Sequence, residues 1–241
     1  MSSAQSIVFL LDVDNTLFDN DGFSDALDQR LLRDFGAKGQ KRYRAHYEAL
    51  RDALGYADYL GAVQRLRSDF DDDPPLLQLA TFILEYPFAE HLYPHALDAI
   101  AHFKTMGLPA ILSDGDMVLQ PRKVQRAGLW QATDGQVAIY LHKQRRLEAV
   151  QRRWPADHYV MVEDKPKLLA EMKQQMGKAL TTVFVRQGHY AIEQQLSHDE
   201  HEPDIIIERI SDLRSLDTQD FLAASKYLAG QRVSAKKPEQ P

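Results

Sequence analysis

Short apolar segments of the kind that form β-strands recur along the whole chain. Most of them carry apolar residues on both faces, which is typical of parallel strands covered by helices on both sides of a sheet. The predicted strands are SIVFLLDV (6–13), LPAILSD (108–114), QVAIYL (136–141), HYVMVED (158–164), LTTVFVRQG (180–188) and PDIIIE (203–208). The pattern therefore predicts a mainly parallel sheet.

Helical segments separate several of these strands. Three of them place apolar residues at helical spacing: PHALDAIAHFKTMG (94–107), QRRLEAVQRRW (144–154) and KPKLLAEMKQQMG (165–177). The first and the third end at glycine, a common residue at the C-terminal end of a helix. Strands that alternate with helices of this length predict a doubly wound α/β fold with helices on both faces of the sheet.

One long interval breaks this alternation. About 75 residues between the first strand and the helix at 94–107 show no strand pattern. Tyr43, Tyr47, Leu50 and Leu54 in this interval form an apolar stripe at helical spacing. The segments with helical periodicity are 23–36, 41–55, 56–70 and 74–86. We therefore predict an all-helical insert in the first crossover of the sheet.

The predicted domain boundaries follow from this insert. The α/β core comprises residues 1–19 and 91–230, and the helical insert comprises residues 20–90. The polar, proline-containing segment 231–241 is predicted to be a flexible tail. A chain of 241 residues is long enough for such a core and a smaller insert.

Composition narrows the possible functions. The formal net charge is −6, so nothing in the overall charge favours nucleic acid or an anionic membrane as a partner. The absence of cysteine excludes disulfides, zinc–thiolate sites and cysteine nucleophiles. There is no secretory signal pattern and no apolar run of the roughly 20 residues that span a bilayer. We expect a soluble, cytoplasmic protein that is a monomer or a homodimer.

The first candidate functional residues lie where the first strand ends, in the segment IVFLLDVDNTLFDNDG (7–22). Asp12 follows the apolar run, and Asp14 lies two residues later and can point to the same side. Two adjacent carboxylates repel each other unless a cation or a shared proton compensates them. A divalent metal with oxygen ligands, such as Mg²⁺, would do so. The alternative interpretation is an acidic turn in which the aspartates only cap the backbone.

Later strand ends add further functional groups. LPAILSDG ends in Ser113 and Asp114, and the hydroxyl and the backbone N–H groups there can hold a phosphate oxygen. Lys143 follows the third strand, and the fourth strand ends in Glu163 and Asp164. The carboxyl ends of parallel strands meet at one edge of a sheet. The sequence therefore predicts that these groups lie together with Asp12 and Asp14.

These residues resemble the four motifs of the haloacid dehalogenase superfamily. DVDNT resembles the DxDxT motif, Ser113 the second motif, Lys143 the third, and Glu163 with Asp164 the fourth. The helical insert resembles the cap that many members carry after the first motif. The similarity extends from residue 6 to about residue 190. It implies a Rossmann-like sheet with the first strand in a central position.

The resemblance also implies roles for the residues. Asp12 would be the nucleophile that forms an aspartyl-phosphate, and Asp14 would protonate the leaving alcohol and then activate water. Ser113, Asp114 and Lys143 would bind the substrate. Ser113 and Lys143 would hold the phosphoryl oxygens, and Lys143 would also be a catalytic residue. Positioned cations and N–H donors are the groups that stabilise a transferred phosphoryl group.

The resemblance implies a metal site as well. Mg²⁺ would be bound by a carboxylate oxygen of Asp12, the main-chain oxygen of Asp14 and Asp164, with Glu163 as a possible further ligand. Carboxylate and carbonyl oxygens are the ligands that suit this ion.

Two features depart from the family pattern. Many members carry a second acid four residues after the fourth-motif aspartate, but here that position is Leu168. Lys165 and Lys167 lie close by, and either of them can pair with the acids instead. Lys123 is an alternative to Lys143 for the third motif, but it falls in a predicted helix only ten residues after the second motif.

The favoured function is a magnesium-dependent phosphatase that acts on a small phosphorylated metabolite. Asp14 favours phosphoryl transfer over dehalogenation, because a halide leaves without a proton. A sugar phosphomutase, a 2-haloacid dehalogenase and a catalytically silent binding protein remain alternatives. The DxD motif and the long insert argue against a signalling receiver domain.

Overall fold

The computed structural model describes residues 6–70, 74–193 and 201–225, so the predicted tail at 231–241 lies outside the described residues. The described part contains an α/β core and a helical insert. The strands are β1 (Ile7–Leu11), β2 (Leu108–Asp114), β3 (Val137–Tyr140), β4 (His158–Glu163), β5 (Leu180–Val185) and β6 (Ile205–Ile207).

The helices alternate with the strands in the core and follow one another in the insert. The insert contains α1 (Asn20–Leu54), α2 (Tyr59–Phe70) and α3 (Pro74–Leu84). The core contains α4 (Ala96–Lys104), α5 (Leu119–Arg126), α6 (Leu129–Ala132), α7 (Leu147–Arg153), α8 (Pro166–Met176), α9 (Tyr190–Glu193) and α10 (Thr218–Ala224). Short 3₁₀ turns lie at Phe88–His91, Lys143–Arg145, Gly177–Ala179 and Ile210–Ser215.

The six strands form one sheet in the order β3-β2-β1-β4-β5-β6. All of its strand pairings are parallel. The predicted α/β fold with a mainly parallel sheet is therefore confirmed, and β1 occupies the expected central position between β2 and β4. The chain runs from β1 to one side of the sheet and later returns to the other, which creates a crevice at the carboxyl end of β1.

The sheet is buried on both faces, as the apolar strand pattern predicts. Ile7, Phe9 and Leu11 pack into the cluster of apolar residues on one face, where Phe9 stacks on Phe103 of α4 at 4.2 Å between ring centroids. Val8 and Leu10 belong to the cluster on the other face. Removal of apolar side chains from water on both faces is the main force that holds these layers together.

The buried apolar residues of the insert belong to the same cluster as one face of the sheet. Tyr43, Tyr47 and Leu50 of the predicted stripe are buried, and the Tyr43 hydroxyl donates a hydrogen bond to the main-chain oxygen of Tyr59 in α2. Leu54 departs from the stripe and is exposed, because it is the last residue of α1. α1 spans two predicted helices, which meet at Gly36 with a φ of 66° that is not helical.

The end of β5 differs from its prediction for a local reason. The strand ends at Val185, whereas the apolar pattern suggested that it continues to residue 188. Gly188 has a φ of 71°, and a Cβ atom built there would lie 2.5 Å from the Cβ of Asn15. The chain therefore turns here and passes close to the loop that follows β1. Within the described ranges, no helix combines the length and the apolar character that crossing a bilayer requires.

Candidate active site

The carboxyl edge of the sheet brings together the functional groups predicted from four strand ends. Asp12 follows β1, Ser113 lies near the end of β2, and Lys143 follows β3. Glu163 ends β4, and Asp164 comes directly after it. All five are buried, although each is polar or charged. Charged side chains are almost never fully buried unless they are paired, so their burial indicates a specific interaction.

Lys143 is the cation at the centre of this cluster. Its Nζ forms ion pairs with Asp12 Oδ1 and with Glu163 Oε2, the latter at 2.5 Å, and lies 3.3 Å from the main-chain oxygen of Leu112. Its own main-chain N–H donates a hydrogen bond of 2.7 Å to Asp114 Oδ1. Asp114 therefore holds the turn that carries Lys143.

The charges in this cluster influence one another strongly. Burial raises the pKa of Asp12, and the nearby Glu163 carboxylate raises it further against the opposing effect of Lys143. Burial and the charge of Glu163 also raise the pKa of Asp164. Burial alone would lower the pKa of Lys143, but the carboxylates of Asp12 and Glu163 outweigh it and hold that pKa above its ordinary value.

Several carboxylate oxygens in the cluster lack a donor. Within the described part of the chain, Asp12 Oδ2 and both carboxylate oxygens of Asp164 are buried without a hydrogen-bond partner. Asp12, Glu163 and Asp164 each offer an oxygen, and these oxygens lie within 4.8 Å of one another. Unpaired buried carboxylates cost free energy, and a divalent cation would remove that cost. The donor set therefore fits a hard divalent metal ion.

The residues near Asp164 occupy different positions. Leu168 lies on α8 and packs into the apolar cluster on one face of the sheet. Its side chain has no oxygen to offer to a metal. Lys165 donates its main-chain N–H to Glu163 Oε1 at 3.2 Å, and its Nζ lies 4.9 Å from the centre of the Tyr190 ring. Lys167 is exposed.

Asp14 lies at the border between this buried cluster and an open cavity. Its side chain is 28% exposed, and its Oδ1 is 2.5 Å from Lys123 Nζ. Its Oδ2 is 3.3 Å from Gln120 Nε2. Lys123 therefore lies in the site, but it contacts Asp14, while Lys143 contacts Asp12. The assignment of Lys143 rather than Lys123 to the third motif stays a prediction.

The cavity has a volume of about 430 Å³ and lies between the core and the insert. The core contributes Asp14, Gln120 and Tyr190 to its lining, and the insert contributes Arg51 and Tyr56. Arg51 of α1 donates a hydrogen bond of 2.9 Å to the Tyr190 hydroxyl, which joins the insert to the core across the cavity. Asp14 therefore borders the cavity on one side and the insert borders it on the other.

The loop that carries Asp14 is held by a network of polar side chains. Asn15 has a positive φ of 59°, and its Oδ1 accepts hydrogen bonds from the main-chain N–H groups of Asn20 and Asp21. Asp21 accepts hydrogen bonds from the main-chain N–H and the ring Nδ1 of His189 at 2.7 and 2.6 Å. Asparagine tolerates this left-handed conformation better than most residues. The network ties the start of α1 to the segment after β5.

Some residues of the site are not predicted by any sequence motif. Gln120, His189 and Tyr190 belong to no motif, and Arg51 is one of several arginines of the insert that the sequence does not distinguish. The partners of these residues lie far away in the chain, so local patterns do not reveal them.

Fold and site together define an α/β enzyme with an acidic, lysine-paired centre at the carboxyl edge of its sheet. A family model for haloacid dehalogenase-like hydrolases matches residues 8–177. The chain belongs to this family of hydrolases, as the four motifs indicate.

Three solved structures show how far the similarity extends. A protein of Burkholderia xenovorans LB400, described as a haloacid dehalogenase-like hydrolase, is 48% identical, with 90% of this chain and 98% of that chain covered and a TM-score of 0.83. A haloacid dehalogenase-like family hydrolase from Xanthomonas campestris is 13% identical, with 94% and 96% covered and a TM-score of 0.68. The L-2-haloacid dehalogenase of Xanthobacter autotrophicus is 18% identical, with 86% and 96% covered and a TM-score of 0.56.

The last two structures share the fold alone with this chain, because their identities are low. No curated protein matches the chain.

Proposed function

We propose that this hydrolase is a magnesium-dependent phosphatase that cleaves a small phosphorylated metabolite through an aspartyl-phosphate intermediate. The observation that carries the proposal is Asp14, which lies two residues after the nucleophile and lines the cavity beside it. A phosphate ester has a poor leaving group that needs a proton, whereas a halide leaves without one. A dehalogenase therefore has no need of a second aspartate at this position.

In the proposed reaction, a carboxylate oxygen of Asp12 attacks phosphorus as the bond from phosphorus to the ester oxygen breaks. Asp14 donates its proton to the departing oxygen, which leaves as the alcohol. Asp14 then takes a proton from water, and the water oxygen bonds to phosphorus as the bond from phosphorus to Asp12 breaks. Inorganic phosphate leaves and the Asp12 carboxylate is regenerated. The Lys143 ammonium and the Ser113 hydroxyl stabilise the charge on the phosphoryl oxygens.

The proposed Mg²⁺ ligands are Asp12, Asp164 and the main-chain oxygen of Asp14. Glu163 suits direct ligation less well, because its two oxygens already contact Lys143 Nζ and the main-chain N–H of Lys165. When bound, the ion neutralises carboxylate charge and supplies a positive charge to the transferred phosphoryl group.

The test is a screen of the purified protein against phosphorylated metabolites, p-nitrophenyl phosphate and 2-chloropropionate, with either Mg²⁺ or EDTA. We expect release of inorganic phosphate that requires Mg²⁺ and no release of chloride. Chloride release without phosphate release would instead identify a dehalogenase, the activity named for the Xanthobacter autotrophicus protein of similar fold. Transfer of phosphate within a sugar phosphate, without free phosphate, would identify a mutase.

Arg51 is expected to contribute to substrate binding rather than to the chemical step. It lines the cavity from the insert, and its nearest carboxylate partner, Glu48, is 3.8 Å away. A hydrogen bond from a charged group contributes about 1.5–3 kcal/mol. Arg51→Ala should therefore raise KM for the best metabolite of the screen by roughly tenfold or more and change kcat little.

Arg42→Ala is the matched control for Arg51→Ala. Arg42 lies on the same helix but pairs with Asp69 on the insert surface, at 2.8 Å from Nε to Oδ2. The KM of the Arg42→Ala protein should equal that of the parent protein. An unchanged KM in Arg51→Ala would show that Arg51 does not bind the substrate.

A further inference from the structure

Lys123 is a buried lysine for which the proposed reaction has no role so far. It lies on α5, and its side chain is only 1% exposed to solvent. Burial of an ammonium group costs several kcal/mol and is tolerated only where partners compensate it. Its carboxylate partner is Asp14, at 2.5 Å from Nζ to Oδ1, and Asn20 Oδ1 lies 3.1 Å from the same Nζ.

Two aromatic rings enclose the rest of this ammonium group. The Lys123 Nζ lies 5.0 Å from the ring centre of Phe18 and 5.8 Å from that of Phe23. Both rings are fully buried. The ammonium group is therefore confined to one position by aromatic faces and by the two oxygens that it contacts.

Gln120, one turn earlier on α5, contacts the other oxygen of Asp14. Its Nε2 lies 3.3 Å from Asp14 Oδ2 and 3.0 Å from Ser113 Oγ. Each carboxylate oxygen of Asp14 thus has one donor from α5. The same amide group links Asp14 to Ser113, so the carboxyl group and the hydroxyl group of β2 have a fixed relative position.

Asp14 needs such a restraint for its proposed work. It belongs to a loop, its side chain is 28% exposed, and it must exchange a proton with an oxygen bound to phosphorus. A group that transfers a proton has to lie within hydrogen-bond reach of its target, and a displacement of 1 Å can cost about 100-fold in rate. A carboxylate has about four lone-pair positions, so the two donors leave room for the substrate.

We propose that Lys123 and Gln120 are positioning residues that hold the Asp14 carboxyl group in its reactive orientation. This inference rests on the proposed phosphatase function. Each acts through the groups that it contacts, Lys123 through Asp14, and Gln120 through Asp14 and Ser113. We call Gln120 and Lys123 together the α5 bracket of the Asp14 carboxyl group.

Kinetics with two types of substrate test the bracket. Lys123→Met keeps a long apolar side chain and removes the ammonium group. We expect kcat for an alkyl phosphate to fall about 100-fold and kcat for p-nitrophenyl phosphate to fall only a few-fold, because its leaving group hardly needs a proton. Gln120→Leu should also lower kcat for the alkyl phosphate more than kcat for p-nitrophenyl phosphate, with smaller losses than in Lys123→Met. Equal losses for both substrates in both variants would overturn the proposal.

A double-mutant cycle separates positioning from a general structural role. If Lys123 acts through Asp14, Lys123→Met should cost less than about twofold when added to Asp14→Asn. Losses that multiply in the double variant would show that Lys123 acts elsewhere.

Arg122→Met is the matched control on α5. Arg122 is next to Lys123 in the chain, but it donates a 2.6 Å hydrogen bond to the main-chain oxygen of Leu84 and pairs with Glu85. In Arg122→Met, the ratio of kcat for the alkyl phosphate to kcat for p-nitrophenyl phosphate should remain that of the parent protein. A ratio that falls as far as in Lys123→Met would show that any disturbance of α5 produces the effect.

A structural readout keeps this inference separate from the proposed function. If the parent protein releases no phosphate from any ester, the phosphatase proposal fails. Crystal structures of the parent, Lys123→Met and Gln120→Leu proteins still test the bracket. We expect the Asp14 carboxyl group to have one orientation in the parent and to rotate or become disordered in the variants. An unchanged Asp14 in both variants would overturn the positioning role.

Discussion

Asp12→Asn is expected to reduce phosphate release by a factor of about 10⁴ or more while the fold stays intact, a loss of the size seen when a nucleophile is removed. The amide has the shape of the carboxyl group but lacks the attacking anion and the charge that faces the metal. Steady-state hydrolysis of p-nitrophenyl phosphate measures the effect. This substrate depends least on proton transfer, so a loss there reports on the nucleophile.

The same substitution should not destabilise the metal-free protein. Burial and the Glu163 carboxylate raise the pKa of Asp12 in the folded state. A carboxyl group whose pKa is raised on folding destabilises the fold at any pH above its unfolded pKa, because its ionisation is then less favourable in the folded protein. Neutral asparagine removes this cost at pH 7–8. Lys143 loses one of its two carboxylate partners in the same change, which offsets part of this gain. We therefore expect a Tm close to that of the parent protein without metal.

Asp98→Asn is the control for this experiment. Asp98 lies on the surface of α4 with its side chain 60% exposed, and its partners are His95 at 2.8 Å and Arg214 at 4.0 Å. Activity should match that of the parent protein. If Asp12→Asn hydrolysed p-nitrophenyl phosphate at the parent rate, Asp12 could not be the nucleophile.

The sequence predicts the buried cluster well because the cluster depends on topology. Parallel strands end at one edge, so Asp12, Ser113 and Glu163 meet as soon as their strands pair in the order β2-β1-β4. Lys143 joins them because it follows β3, the strand next to β2. Each residue could therefore be assigned from its position after an apolar run.

The surroundings of Asp14 could not be predicted in the same way. Lys123 meets Asp14 across 109 positions of the chain, and Arg51 meets Tyr190 across 139. Both contacts depend on how helices lie over the sheet edge, and side chains on a helix have no periodic relation to a distant loop. Lys123 also lies in a segment that reads as an ordinary helix. Its burial, which reveals a specific partner, becomes visible only in three dimensions.

Magnesium is expected to raise the Tm of the parent protein by roughly 5–10 °C at a concentration 100 times its Kd. Asp12, Glu163 and Asp164 gather three buried carboxyl groups, and the ion pairs of Lys143 reach only the first two. Both oxygens of Asp164 lack a hydrogen-bond partner among the described residues. A cation that binds only the folded protein relieves this repulsion and stabilises the fold by mass action.

Asp164→Asn should abolish this stabilisation. The amide keeps the shape of the side chain but removes a metal-binding charge, so melting curves with Mg²⁺ and with EDTA should coincide. The Asp98→Asn control should retain the full shift. A parent protein that melts at the same temperature in Mg²⁺ and EDTA, and whose activity EDTA leaves unchanged, would rule out the metal site.

Binding of a phosphate-like anion should depend on Mg²⁺, and melting curves measure this as well. Tungstate, a mimic of phosphate, would enter a site that already holds several carboxylates, so without a divalent cation it meets net repulsion. We expect tungstate to raise the Tm only when Mg²⁺ is present, which makes the binding of the two ions mutually favourable. Lys143→Ala should weaken mainly the tungstate shift, because this ammonium group is the proposed phosphoryl contact. Equal tungstate shifts with Mg²⁺ and with EDTA would show that the anion binds away from the Asp12 cluster.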